Sequence, residues 1–356
     1  MKIGIILGTR PEIIKLAPVI RYCMERKLNY FILHTGQHYS INLDKLFFEE
    51  LELSVPKYNL EVGSGEHGHQ TGLMMQKIEK VLIQEKPNVV LVQGDTNTVL
   101  AGALVASKLG IKVGHVEAGL RSFDRTMPEE VNRVLTDHVA DWLFCPTETA
   151  RGTALKEGLA REKLLITGNT IVDAVLQNKE LSERKSLILS RLGLQIRNYF
   201  LVTLHRQENV DNQEKLVSVL EGLEELYKIY GVPIVFSVHP RTQKRMEEFD
   251  LKFPEGVKGI EPVGFLNFLQ LEARAKLVLT DSGGVQEEAC ILKVPCVTLR
   301  ENTERPETIL VGANILVGTG MKRIVSGVEE MLEKEREWEN PFGDGKAAER
   351  IINYIL

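Results

Sequence analysis

Short apolar runs that stop at a polar or glycine-containing turn, then pass into a helix-period pattern, recur along the whole chain. In the first half they lie at residues 3–7, 31–33, 89–92, 113–116 and 142–145, and in the second at 200–203, 234–238, 276–279 and 296–299. Runs apolar on both faces and alternating with helices predict parallel strands covered on both sides. Residues 171–198, between the halves, are helical in pattern and rich in Lys, Glu, Arg and Ser. The pattern therefore predicts an α/β protein of two sheets: an N-terminal domain over 1–170 and a C-terminal domain over 171–356. The amphipathic segment 346–354 is a final helix able to pack on either half.

Composition narrows the picture. The 356 residues carry 44 Lys and Arg against 49 Asp and Glu, a net charge of -5. No basic excess is available to neutralise a nucleic-acid backbone, so any phosphate site must be local. Cys23, Cys145, Cys290 and Cys296 are scattered, without Cys-x-x-Cys or a neighbouring His at metal spacing, and read as reduced, mostly buried thiols. The run 3–7 is too short for a secretory signal. The run 99–106 stops at Ser107-Lys108, well short of the ~20 residues a bilayer needs. The expectation is a soluble, cytoplasmic protein with no membrane or nucleic-acid partner, no metal and no cofactor.

In open α/β sheets ligands sit beyond the carboxyl ends of the strands. After the first strand comes Gly8-Thr9-Arg10-Pro11-Glu12, with Lys15 a turn further on; Arg10 and Lys15 place two cations near a helix N-terminus, or are solvated charges of an ordinary turn. The second strand ends in His34-Thr35-Gly36-Gln37-His38, which reads equally as two surface histidines in a turn. Asp95 follows Gly94 at the end of the strongest strand and has an alternative as a helix N-cap. Glu117, in His115-Val116-Glu117-Ala118-Gly119-Leu120-Arg121, has no such alternative. Glu129 and Glu130 open the next helix, where acids also complement the dipole. Asp95, Glu117 and Glu129 are thus three acids from successive loops at one rim, an arrangement that suits general acid–base chemistry.

The second half places His205, Arg206 and Glu208 after one strand and His239-Pro240 after the next. Thr280-Asp281-Ser282-Gly283-Gly284-Val285-Gln286-Glu287-Glu288 is a strand, a small-residue turn and a helix. The N–H groups of Ser282, Gly283 and Gly284 suit a phosphate and Glu288 a ribose diol, unless this is a plain tight turn. Residues 63–68 fit G-x-G-x-x-G, but the polar stretch 57–62 before them reads as a loop, so no dinucleotide site is assigned.

These segments, with Pro128-Glu129-Glu130-Val131-Asn132-Arg133, Thr167-Gly168-Asn169-Thr170 and Thr303-Glu304-Arg305-Pro306-Glu307, run in family order over about nine tenths of the chain. In them the chain resembles the non-hydrolysing UDP-N-acetylglucosamine 2-epimerases. The resemblance implies two Rossmann-like domains facing across a cleft, as in the glycosyltransferase-B class, and a homodimer. It implies reversible conversion of UDP-N-acetylglucosamine to UDP-N-acetylmannosamine through departure of UDP, a 2-acetamidoglucal intermediate and re-addition of UDP.

By position, the resemblance makes Asp95, Glu117, Glu129 and His205 catalytic: the three acids at C2, which needs proton transfer on both ring faces, and His205 near the diphosphate. It assigns phosphates to Arg10, Ser282, Gly283 and Gly284, ribose to Glu288, the uracil neighbourhood to Phe268, the sugar to Arg305, and substrate binding to Lys15. Gln37, His38, Glu130, Arg206 and His239 match parts of an allosteric site for UDP-N-acetylglucosamine in some bacterial relatives. This chain has His69-Gln70 where such relatives carry an Arg near position 69. The rival readings are a hydrolysing epimerase, a glycosyltransferase of the same fold class and an inactive sugar-nucleotide sensor.

Overall fold

The computed structural model describes residues 1–37 and 47–356. The chain divides into two compact units, one of Met1–Gln177 with Phe342–Leu356 and one of Asn178–Pro341. The division falls inside the helix Thr170–Lys185 rather than at its start.

The first unit is built on a seven-stranded sheet: β1 (Lys2–Leu7), β2 (Asn29–His34), β3 (Tyr58–Asn59), β4 (Val89–Gln93), β5 (Lys112–Val116), β6 (Trp142–Cys145) and β7 (Leu164–Ile166). The order is β3-β2-β1-β4-β5-β6-β7, and every pairing is parallel. Residues such as Ile5, Ile6, Val90, Leu91 and Val92 are wholly buried, because helices cover both faces and no strand face is left to water.

The second unit repeats the plan with β8 (Phe200–Leu204), β9 (Ile234–Val238), β10 (Val257–Ile260), β11 (Leu277–Thr280), β12 (Cys296–Thr298) and β13 (Asn314–Leu316). Its order is β10-β9-β8-β11-β12-β13, again all parallel.

The strands that the apolar pattern left out, β3, β7, β10 and β13, are short. All four close a sheet at its edge, where one side is unpaired and a continuous apolar run is not required. The stretch before the G-x-G-x-x-G segment is therefore not all loop: Tyr58 and Asn59 pair in parallel with Leu33 and His34.

The last helix, Ala347–Ile355, belongs to the first unit. Asp173 accepts hydrogen bonds from the N–H groups of Ala347 (3.2 Å) and Ala348 (3.0 Å), satisfying two donors that no helical carbonyl reaches. Ile351 and Ile352 are buried, and the Tyr354 ring meets those of Trp142 and Phe144 edge-on at about 6 Å. The four thiols are all buried and free, and burial pushes those of Cys23, Cys145 and Cys290 up to about 12. Among the described residues no helix is long and apolar enough to cross a membrane.

Candidate functional site

Strand order reverses direction of growth between β1 and β4 in the first unit and between β8 and β11 in the second. At such a switch point the flanking connections leave on opposite faces and open a crevice at the strand ends. The candidate residues follow those four strands and the strands beside them.

After β1, Gly8 lies so close to Thr35 and Thr98 that a Cβ would sit 2.1 and 2.3 Å from their hydroxyls, which fixes glycine there. Thr9 is the N-cap of the helix Arg10–Glu25. Glu12, 3% exposed, turns back to accept from the N–H groups of Gly8 and Thr9 and from the Thr96 hydroxyl. Burial dominates over these bonds and pushes its carboxyl up to about 7. Arg10 stacks over the Phe47 ring at 5.6 Å.

Lys15, on the same helix, reaches both carboxylate oxygens of Glu117 at 2.6 and 2.7 Å, and the Gln93 amide donates to one of them. Glu117 is 8% exposed and adopts a left-handed backbone (φ 69°), with its N–H and that of Ala118 both bonded to the Phe144 carbonyl. A non-glycine residue in this conformation is held there by its surroundings, a frequent feature of functional turns.

Asp95 follows Gly94, which also has positive φ. The N-cap of the helix Asn97–Lys108 is Thr96, not Asp95, so the capping alternative falls away. The Asp95 side chain pairs with Arg133, and its carbonyl accepts from Asn132 at 3.0 Å. Instead of acids crowded against one another, Asp95 and Glu117 each carry a cation. Glu129 is exposed in the first turn of the helix Pro128–Val139.

Among the residues matched to an allosteric site, Glu130 is buried and accepts from the Ser122 N–H and hydroxyl, the Phe123 N–H and Arg133, fastening the preceding loop. Gln37 is buried and accepts from Thr98. Gln70 donates to the Gly63 carbonyl at 2.7 Å and accepts from Asn97. His34 is buried rather than at the surface, its Nδ1 accepting from the Gly36 N–H. His38 lies outside the described residues.

In the second unit Asp281, wholly buried after β11, organises the turn after β8. Its carboxylate accepts from the backbone N–H groups of His205 and Arg206 and from Asn209, and faces His205 Nδ1 at 3.2 Å. Burial opposes the charge, but these partners hold the carboxyl below its ordinary range. His239 lies 5.4 Å from His205, ring to ring, and its Nδ1 accepts from the Arg241 N–H. Burial and the neighbouring His205 lower its pKa.

Ser282 caps the helix Gly283–Ile291, whose leading N–H groups have no acceptor within the helix. A Cβ on Gly283 or Gly284 would meet nothing closer than 3.7 Å, so the space above this helix end is open. Glu288 lies one turn in, next to Glu272, whose carboxyl is raised by complete burial and then by Glu288 itself. Arg305 pairs with buried Glu287 at 2.7 Å, and Phe268 packs half-buried on the helix Phe265–Arg274.

The groups missed from the sequence are partners: Gln93, Arg133, Asp281, Glu272 and Glu287. Arg133, Asp281 and Glu287 stand inside the family segments, and Asp281 is also an acid at a strand end ahead of a small-residue turn.

Two parallel sheets wound with helices, each with polar and acidic residues at its switch point, define a glycosyltransferase-B-like α/β protein. A crystal structure of the UDP-N-acetylglucosamine 2-epimerase of Methanocaldococcus jannaschii in complex with UDP-N-acetylglucosamine and UDP matches at a TM-score of 0.88 and 60% identity, covering 100% of this chain and 99% of that one. The family model described as UDP-N-acetylglucosamine 2-epimerase matches residues 22–356. The chain belongs to the UDP-N-acetylglucosamine 2-epimerase family and is an isomerase. A more distant relative, the UDP-2,3-diacetamido-2,3-dideoxy-D-glucuronate 2-epimerase of Pseudomonas aeruginosa, is 44% identical over 100% of this chain and 99% of its own.

Proposed function

We propose that the protein interconverts UDP-N-acetylglucosamine and UDP-N-acetylmannosamine by eliminating UDP to 2-acetamidoglucal and adding it back. The C2 proton has no adjacent carbonyl to acidify it. Loss of the C1–O bond electrons to UDP creates the electron demand that lets C2–H be removed, and a C1=C2 double bond forms. In reverse, a UDP oxygen attacks C1 while C2 takes a proton on the opposite face, giving the epimer.

The observation that carries this reading is the acid rim of the first unit. Asp95 and Glu117 stand on separate loops, each held in place by a cation, as the two groups that exchange a proton with C2. Glu129, exposed on a third loop, serves the same proton transfers. In the second unit the helix end at Ser282, Gly283 and Gly284 holds phosphate. His205 lends positive charge to departing UDP, Glu288 takes the ribose, Phe268 flanks the uracil, and Arg305 binds the sugar. A glycosyltransferase has no use for acids on both faces of a ring carbon. A homodimer acting in the cytoplasm is part of the same proposal.

The identity to the M. jannaschii protein, higher than to the diacetamido-glucuronate epimerase, favours UDP-N-acetylglucosamine as substrate. Nucleotide-sugar chromatography after incubation with each substrate tests this. UDP-N-acetylmannosamine is the expected product; UDP with free N-acetylmannosamine marks the hydrolysing reaction, and turnover of the glucuronate alone overturns the substrate.

A further inference from the structure

Beneath the acid rim lies a buried cluster of the His115, Asp137 and Arg121 side chains that the proposed chemistry does not use. His115, on β5, is 0% exposed. Its Nε2 lies 2.8 Å from the Gly94 carbonyl oxygen and its Nδ1 2.6 Å from Asp137 Oδ1. The other Asp137 oxygen accepts from the Gly119 N–H at 3.1 Å and pairs with Arg121 at 2.7 Å, and Arg121 continues to Glu157 at 2.6 Å.

The proton inventory follows from the partners. A carbonyl oxygen only accepts, so Nε2 carries a hydrogen. Nδ1 faces Asp137, whose carboxyl burial would raise but His115 and Arg121 hold below its ordinary range.

We infer that His115, held between the Gly94 carbonyl and Asp137, positions the two acid loops for proton transfer at C2. It fixes the Gly94 peptide, whose N–H is also bonded to the Val116 carbonyl at 3.2 Å, immediately before Asp95. Through Asp137 it is joined to Gly119, two residues beyond Glu117. A Cβ at Gly119 would lie 2.4 Å from the Ala150 carbonyl, so this turn has one position available to it. The helix Pro128–Val139 thereby grips both loops, with Asn132 and Arg133 on Asp95 and Asp137 on the base of the Glu117 turn. The remaining titratable groups interacting with the buried Cys145 beside Asp137 are Arg151 and Glu148.

The inference rests on the epimerase reading for its role, but its hydrogen-bond geometry is read without turnover. Protein labelled with 15N-histidine is examined by long-range proton–nitrogen NMR, with His115 identified by the signals lost in His115→Gln. Nε2 is expected at a protonated shift and the Nδ1 signal is expected to move in Asp137→Asn; an unprotonated Nε2 or an unmoved Nδ1 overturns the inference. In Asp137→Asn, kcat is expected to fall roughly 100-fold with KM nearly unchanged, as misplacing a reacting group does. A kcat within twofold of the parent overturns the positioning role, while absence of turnover in the parent itself would count against the epimerase reading alone.

Discussion

Lys15 and Glu117 stand 102 residues apart in sequence, and the Lys15 ammonium lies 2.6 Å from one oxygen of the Glu117 carboxylate and 2.7 Å from the other. β1 and β5 each pair with β4, so the helix after β1 and the turn after β5 both stand beside the end of β4, where Gln93 supplies a third contact to the same acid.

Because both side chains are largely buried, removing one leaves the other uncompensated. Lys15→Met should destabilise the protein by about 3 kcal/mol, and Lys15→Met with Glu117→Gln should recover part of that loss. Denaturant melts of the two single variants and the double variant give the coupling directly. Additive losses would mean that the pair contributes nothing of its own.

Glu12 makes stability depend on pH. Its folded pKa of about 7 lies above the ordinary 4.5, so the folded state binds more protons than the unfolded one between those values. Stability from this group is therefore greatest at low pH and declines as pH rises through that window, by up to about 3 kcal/mol. Glu12→Gln reproduces the protonated carboxyl, its oxygen accepting from Gly8 and Thr9 and its amide donating to Thr96. The variant should lose this slope and be the more stable of the two at pH 8. Parallel stability–pH curves for variant and parent would show that Glu12 ionises normally.

Asp281 should behave with the opposite sign. Its lowered pKa means that its stabilising effect is present above about 4 and is lost as pH falls through its folded value. Asp281→Asn offers one acceptor oxygen to several donors, so the turn at His205 and Arg206 loosens. UDP affinity measured by calorimetry should fall at least roughly tenfold, with a stability loss of about 2 kcal/mol. Unchanged affinity would separate this turn from nucleotide binding.

Much of the architecture was legible in the apolar runs because the central strands β1, β4, β8 and β11 are buried on both faces and must be continuously apolar. The edge strands were not, since Tyr58-Asn59 or Val257–Ile260 need only one partner. The rims were legible for a topological reason: Gly8, Gly94, His205 and Ser282 all follow strands at the switch points. The pairings were not. Nothing local distinguishes Lys15 from a solvated helix lysine, or buried Glu272 from a surface acid, until the sheet order brings Glu117 or Glu288 beside it.

Incubation with UDP-N-acetylglucosamine in D2O, followed by NMR, tests the proposed proton exchange at C2 during loss and return of UDP. UDP-N-acetylmannosamine carrying deuterium at C2, with little free sugar, is expected. Product that retains the original C2 hydrogen would contradict it.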